Sequence, residues 1–521
     1  MTYYAGLTIG PITDTIEKAT VPAALWFSSY LFADLSRRLC AGILAALPEA
    51  RLLSTAYRPD IHLEQDGVGL YADRVLFRVE GEETAIRDAL CGVAAVCRDE
   101  TAEAFPEHYD REEMRGFFRD YLQIHFVLLP EPKLAGRDKL KALNDCLDAL
   151  ELMKTFPASS LHDPFSRLFA NDDARTQGSG ARNSEIKTSP LFPQRKAAYL
   201  LNPFGAVRDI PDIARTNADM EKKYSRYFAV VNADGDGIGN FQASFGEEEV
   251  ERFSEACLQY RLQVTELIHA FGGMPVYAGG DDLLFLAPIY GTVDGQRGTV
   301  LTLCQAIREL FHRCIRDSFP AASEYPTVSF GVSVQYEKHP LYEALDKGEE
   351  LMYWAKYDVF HDSEGDPIKD NLALELRKHS GQSLKLAVHN PDFSAFQKLL
   401  DAMLLGDDSK RTAAVLRQVL YAAHLLELHL QKTEAALQKP GADLDMAKKR
   451  FCKIWMNFFD NPGQAVFEDY LKGIGDAVFD VFLQERHLLW GEETDTVGPL
   501  GVMTGLLRWA RFLEEKAGER E

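Results

Sequence analysis

Tyr227 to Val231 is a continuous apolar run, and it ends in Asn-Ala-Asp-Gly-Asp-Gly. Such a run, bounded by turn residues, predicts a strand buried on both faces. From Glu247 to Phe271 the apolar residues Val250, Phe253, Cys257, Tyr260, Leu262, Val264, Leu267 and Ile268 predict a helix. Val276 to Pro288 then places apolar segments on both sides of Gly279-Gly280-Asp281-Asp282, a hairpin pattern. A helix is expected from about Gly298 to Phe319. A strand follows from Thr327 to Gln335, where Val328, Phe330, Val332 and Val334 alternate. A last helix starts after Pro340 and passes through Ala355-Lys356. Strand, helix, strand, strand, helix, strand, helix is the order of a split β-α-β, ferredoxin-like core, a fold that hosts many functions.

The N-terminal part repeats this order. A strand through Ile9 precedes a helix expected over about Thr13 to Ala46. Leu70-Tyr71-Ala72-Asp73-Arg74-Val75-Leu76-Phe77 parallels Val276-Tyr277-Ala278-Gly279-Gly280-Asp281-Asp282-Leu283-Leu284-Phe285. The Gly-Gly is missing and one acid survives, so this reads as an internal repeat whose hairpin has decayed; a chance Tyr-Ala match is the alternative. The expected fold is α+β: two ferredoxin-like palms, the first degenerate (1–105) and the second active (221–382). A partly helical inter-palm region (106–220) and an all-helical C-terminal domain (383–521) complete it. Residues 171–190 are polar and rich in Gly and Ser and read as a mobile loop. The C-terminal helices are expected at Asp392–Leu405, Ser409–Gln438, Ala442–Phe459, Pro462–Glu485 and Val497–Glu515.

Composition narrows the function classes. With 57 basic and 79 acidic residues the net charge is −22, a poor balance for a stand-alone nucleic-acid binder. No signal peptide or long apolar span appears, so a cytoplasmic, non-membrane location is expected. The eight cysteines form no Cys-x-x-Cys, and most sit in helical apolar patterns as reduced core residues.

The candidate chemistry lies where two buried strands end in carboxylates. Asp234 and Asp236 share a face if their strand continues. Asp281 and Asp282 point to opposite faces of a regular strand, so at most one of them should meet a given metal. Such oxygen ligands suit Mg²⁺ or Mn²⁺. Paired metals can activate a 3′-hydroxyl and steady a leaving pyrophosphate. Gly237, Ile238, Gly239 and Asn240 leave backbone amides free to cradle phosphates, and Gly279 and Gly280 permit close approach of a nucleotide. Taken alone, each motif is also an ordinary turn. A Ca²⁺ loop fits poorly, because Ile238 occupies its fifth position and no Glu closes it.

Ala-Gly-Gly-Asp-Asp, Asp-Gly-Asp-Gly, Thr-Val-Ser-Phe-Gly-Val-Ser, Ala355-Lys356 and Ala373-Leu374-Glu375-Leu376-Arg377 together resemble the cyclase palm of the large subunit of type III CRISPR–Cas effector complexes, the Cmr type most closely. Diguanylate cyclases are more distant, since they carry Gly-Gly-Asp/Glu-Glu-Phe where this chain has Gly-Gly-Asp-Asp-Leu. The resemblance implies a nucleotidyltransferase with Asp281, Asp282 and Asp234 catalytic, and metal on Asp234, Asp281 and Asp236. It also implies Lys356 on phosphate, with an exposed helix lysine as the alternative. ATP would be converted to a cyclic oligoadenylate when target RNA binds. The implied partners are the other subunits of a guide-RNA ribonucleoprotein, with the C-terminal helices docking small subunits. Asp73 stands where the family often has Asn before Arg. A carboxylate there could touch the acceptor and favour S-adenosylmethionine as co-substrate, giving an AMP conjugate; a solvated strand-end acid is the alternative. A non-catalytic scaffold is the rival from another class. No zinc is expected, because the family's inter-palm cysteine cluster is missing. No HD nuclease is expected either, because His162-Asp163 and His361-Asp362 are isolated pairs.

Overall fold

The computed structural model describes residues 1–59, 68–134, 138–152, 163–172, 184–192, 200–203, 205–404, 418–419, 421–422, 425–437, 439, 441–459, 468–485, 489–490 and 499–517. The chain is an α+β protein. It begins with strand β1 (Thr2–Gly10), the short helix α1 (Ile12–Ile16), helix α2 (Pro22–Ala46), strands β2 (Arg51–Ser54) and β3 (Arg74–Glu80), helices α3 (Glu83–Ala102) and α4 (Arg111–Tyr121), and strand β4 (Gln123–Pro130). The four strands form an antiparallel sheet in the order β2-β3-β1-β4, which is ferredoxin-like.

Three expectations change here. The single helix from Thr13 is two helices, and Pro22 opens the second of them at a position where its missing N–H is harmless. The first palm passes residue 105, since β4 supplies its fourth strand. Tyr71-Ala72 is not on a strand either. It belongs to the irregular run before β3, so the decayed hairpin is a long connection rather than a tight turn.

Helix α2 is the spine of this palm. Trp26 and Phe27 are fully buried, and Phe27 meets Phe105 and Phe169 edge to face at 5.5 and 6.4 Å. Each such ring contributes about 1.5–3 kcal/mol by leaving water. The inter-palm region holds α5 (Lys139–Glu151), α6 (Pro164–Asp172) and α7 (Ile210–Arg215). Most of the expected mobile loop, 173–183, and His162 lie outside the described residues.

The second palm comprises β5 (Tyr227–Asp236), α8 (Ile238–Gln242), α9 (Glu247–Phe271), β6 (Met274–Gly279), β7 (Asp282–Pro288), the hairpin β8 (Tyr290–Val293) and β9 (Gln296–Thr299), α10 (Val300–Ser318), β10 (Thr327–Tyr336) and α11 (Leu341–Tyr357). Strands β11 (Phe360–His361), β12 (Asn371–Arg377) and β13 (Ser383–His389) follow, then α12 (Phe393–Leu404). Its sheet runs β13-β12-β10-β5-β7-β6. The order β10-β5-β7-β6 repeats β4-β1-β3-β2, so the internal repeat holds at the level of topology. Strand β13 pairs with β12, so the sheet continues past the boundary expected at 382. Among the described residues four later helices follow, Glu427–Leu437, Leu444–Asn457, Glu468–Glu485 and Pro499–Glu514, while 405–417 and 460–467 lie outside them.

The chain forms two compact units. One contains Met1–Thr216, Ala233–Thr327 and Lys338–Glu343; the other contains Asn217–Asn232, Val328–Glu337 and Ala344–Glu521. In the second unit, a Cβ on Gly331 of β10 would lie 2.8 Å from the Met352 Cα, so glycine lets α11 sit directly on the strand. Among the described residues, no helix is long and apolar enough to cross a membrane.

Candidate active site

Asp234, Asp281 and Asp282 converge. One carboxylate oxygen from each lies within 4.8 Å of the others, and all three belong to the first unit. Strand β5 supplies Asp234, and the β6–β7 hairpin supplies the other two. Gly279 pairs with Asp282, which leaves Gly280-Asp281 as a two-residue loop. Gly280 has φ +67°, and glycine at the first loop position is what a type II′ turn takes. Because Asp281 sits in the turn and not on a regular strand, it escapes the alternation that would send it to the opposite face. Both hairpin acids therefore join the group, contrary to the expectation that only one could.

The glycines have separate reasons. A Cβ on Gly235 would collide with the Asp281 carboxylate and lie 2.7 Å from its Cβ, so a bare β5 backbone is what lets Asp281 lie across it. A Cβ on Gly279 would overlap the Tyr277 phenol. Gly237 has φ +72° and starts α8. Gly237, Gly239 and Asn240 are exposed and Ile238 is half-buried.

Asp236 departs from expectation. It is 3% exposed, accepts a hydrogen bond from Thr327 Oγ1 at 2.9 Å, and is not one of the three converging acids. Lys356 belongs to the second unit and is 3% exposed, which removes the exposed-lysine alternative.

The site carries strained electrostatics. Burial, the charges of Asp281 and Asp234, and a hydrogen bond with Asp234 push the Asp282 carboxyl well above the usual carboxylate range. Asp282 is the most solvent-accessible of the three, so its charged neighbours act on it more strongly than desolvation. A carboxylate raised by its neighbours in this way is relieved by a divalent cation, so the donor set fits Mg²⁺ or Mn²⁺.

The first palm reaches this site through its irregular run. Gly69 bridges Tyr277 in parallel, and the Ala278 amide donates to the Gly69 carbonyl at 2.9 Å. Ser29 Oγ donates to the Val276 carbonyl at 2.9 Å, and Ser36 Oγ to the Ala72 carbonyl at 2.6 Å. Arg261, 1% exposed on α9, donates to the carbonyls of Leu70 and Cys257. Asp73 directly precedes β3, as Asp281 directly precedes β7. Burial raises its carboxyl, against the lowering effect of Arg74, and it acts electrostatically on both Tyr277 and Asp282. Beside it, Arg74 binds Glu151 and Asp148, each at 2.6 Å. Tyr277, Arg261, Ser29 and Gly69 were not flagged by sequence. Each sits in an ordinary strand, helix or loop pattern, and only the packing of the two palms gives it a role.

Residues 227–363 match the second palm domain of the Cas10/Cmr2 family. The CRISPR system Cmr subunit Cmr2 of Pyrococcus furiosus is 31% identical over 130 residues, which is 25% of this chain and 13% of that protein. The match thus spans a small part of the relative's length. A Csm1–Csm4 cassette in complex with AMPPNP superposes with a TM-score of 0.50 at 14% identity, covering 91% of this chain and 70% of that one. The type III-B Cmr-β structure in its apo state also gives 0.50, at 12% identity, covering 82% of this chain and 75% of that one. At these identities the likeness to the solved structures is one of fold. The Cas10/Cmr2 palm match contains all three converging carboxylates.

Proposed function

We propose that this chain is a metal-dependent nucleotidyltransferase that makes a cyclic oligoadenylate from ATP within a type III CRISPR effector complex. The observation that carries this reading is the convergence of Asp234, Asp281 and Asp282 on a palm that matches the Cas10/Cmr2 family. Asp234 and Asp281 would hold Mg²⁺ or Mn²⁺, with Asp282 completing the set. Bound cations of this kind polarise the α-phosphate and lower the pKa of an attacking 3′-hydroxyl. The chain's own part is positioning. Gly235 lets Asp281 lie over β5, and the amides of Gly237 to Asn240 would cradle a triphosphate. The 3′-oxygen bonds to the α-phosphorus as the bond to pyrophosphate breaks. Other subunits and a guide RNA would assemble around this chain, with target RNA as activator and the C-terminal helices as a docking surface.

A second reading keeps the chemistry and changes the acceptor to S-adenosylmethionine. Asp73 favours it: a carboxylate beside the second palm's acids suits a cationic sulfonium. The test is incubation of the protein, alone and with its complex and target RNA, with ATP and Mg²⁺ or Mn²⁺, with and without S-adenosylmethionine. Products are identified by mass spectrometry. Oligoadenylates that vanish in Asp281→Ala/Asp282→Ala support the first reading. An AMP conjugate that vanishes in Asp73→Asn supports the second. No product from a complex shown to bind target RNA refutes both and leaves a scaffold.

A further inference from the structure

Tyr277 has no part in the chemistry above, yet the register places it against the carboxylates. In the β6–β7 ladder Gly279 pairs with Asp282 and Tyr277 with Leu284. Paired residues, and residues two apart on one strand, present their side chains to the same face. Tyr277 and Asp282 are therefore neighbours on one face. The phenol fills the space a Cβ on Gly279 would occupy, on the face that Gly279 shares with its partner Asp282. From the other side Gly69 of the first palm bridges Tyr277, four residues before Asp73. The phenol thus stands at the seam, between the acid of one palm and the metal-binding acids of the other. Tyr277 is half-buried, so a ligand entering the seam can reach it.

An ordinary phenol is protonated at neutral pH and can donate one hydrogen bond. Carboxylates committed to a cation accept from it poorly, which leaves the proton for an incoming oxygen. We propose that Tyr277 is an acceptor-binding residue that donates a hydrogen bond to a ribose or phosphate oxygen of the molecule whose hydroxyl attacks. The inference rests on the nucleotidyl-transfer reading, and it holds for either acceptor, since both carry an adenosine ribose.

Tyr277→Phe keeps the ring over Gly279 and removes only the donor. Gly279→Ala keeps the hydroxyl and displaces the ring. Both are compared with wild type and with Asp281→Ala/Asp282→Ala, as the full chain in its complex. Three quantities are read: melting temperature, affinity for a fluorescent non-hydrolysable ATP analogue with Mg²⁺, and the acceptor dependence of first-bond formation. The expected result for Tyr277→Phe is unchanged melting and donor affinity, with the acceptor KM raised about tenfold, the loss of one hydrogen bond. Gly279→Ala should share the KM defect. Wild-type KM and kcat in Tyr277→Phe, while the double aspartate variant is dead, overturn the inference and leave the enzyme reading standing. A fall in melting temperature and donor affinity together makes Tyr277 a structural residue and also overturns it. Absence of product from wild type removes both.

Discussion

Replacing Asp282 by Asn should stabilise the cation-free protein and abolish its stabilisation by Mg²⁺ or Mn²⁺. The substitution is nearly isosteric, so packing is kept and only charge is lost. Two unit charges 4.8 Å apart repel by about 3.5 kcal/mol at an effective dielectric of about 20. Solvent reaches Asp282, which screens the gain from its removal to about 1–2 kcal/mol. In a unit of this size that is a rise in melting temperature of about 1.5–3 °C. The wild type should gain about 2.7 kcal/mol from a cation at about 100 times its dissociation constant. The assay is thermal melting of wild type and Asp282→Asn in EDTA and in Mg²⁺. The variant should melt higher in EDTA and respond little to Mg²⁺. A variant that melts at or below wild type in EDTA, or that keeps the full Mg²⁺ response, refutes the view that three mutually repelling carboxylates await a cation.

Three further outcomes follow from the same geometry. The raised Asp282 carboxyl keeps in the fold a proton that the unfolded chain releases near its ordinary value of 3.8, so in EDTA this group's contribution to stability declines as pH rises from there towards its folded value. Cation binding needs the ionised form, so the Mg²⁺-induced rise in melting temperature should be larger at pH 8 than at pH 5.5, and a response independent of pH would contradict this. Gly235→Ala should push Asp281 off the strand and cost about 100-fold in product formation, with the circular dichroism spectrum unchanged, because small misplacements of reacting groups are expensive. Arg261→Met leaves the Leu70 carbonyl without its buried donor and should cost about 1–3 kcal/mol in urea unfolding, with faster proteolysis around residues 68–73; wild-type values for both would show that Arg261 does not hold the two palms together.

The parts legible in the sequence were those written in local pattern. Strand β5, helix α9, the Gly-Gly-Asp-Asp hairpin and β10 announce themselves by periodicity and turn chemistry, and the three acids that converge were all named from it. What failed depended on distant chain. Asp236 looks equivalent to Asp234 along β5, but Thr327 holds it elsewhere. Asp281 and Asp282 looked like opposites because alternation assumes a regular strand, and the turn begins one residue later than that. The glycines read as permissive joints. Gly280 is one, but Gly235 and Gly279 are bare because Asp281 and Tyr277 need their space, and no local rule shows which side chain will arrive there. The connection before Asp73 aligns by its letters, whereas its Gly69 and Leu70 carbonyls serve the other palm.

The Gly69 carbonyl also protects the edge of the second palm's sheet. Strand β6 ends its sheet, and an uncovered terminal strand is a template for unwanted pairing with other chains. Gly69 satisfies the Ala278 amide there, and Ser29 satisfies the Val276 carbonyl. The first palm therefore acts as a permanent sheath for the second. Cut away, it would leave the second palm with a bare terminal strand, prone to self-association.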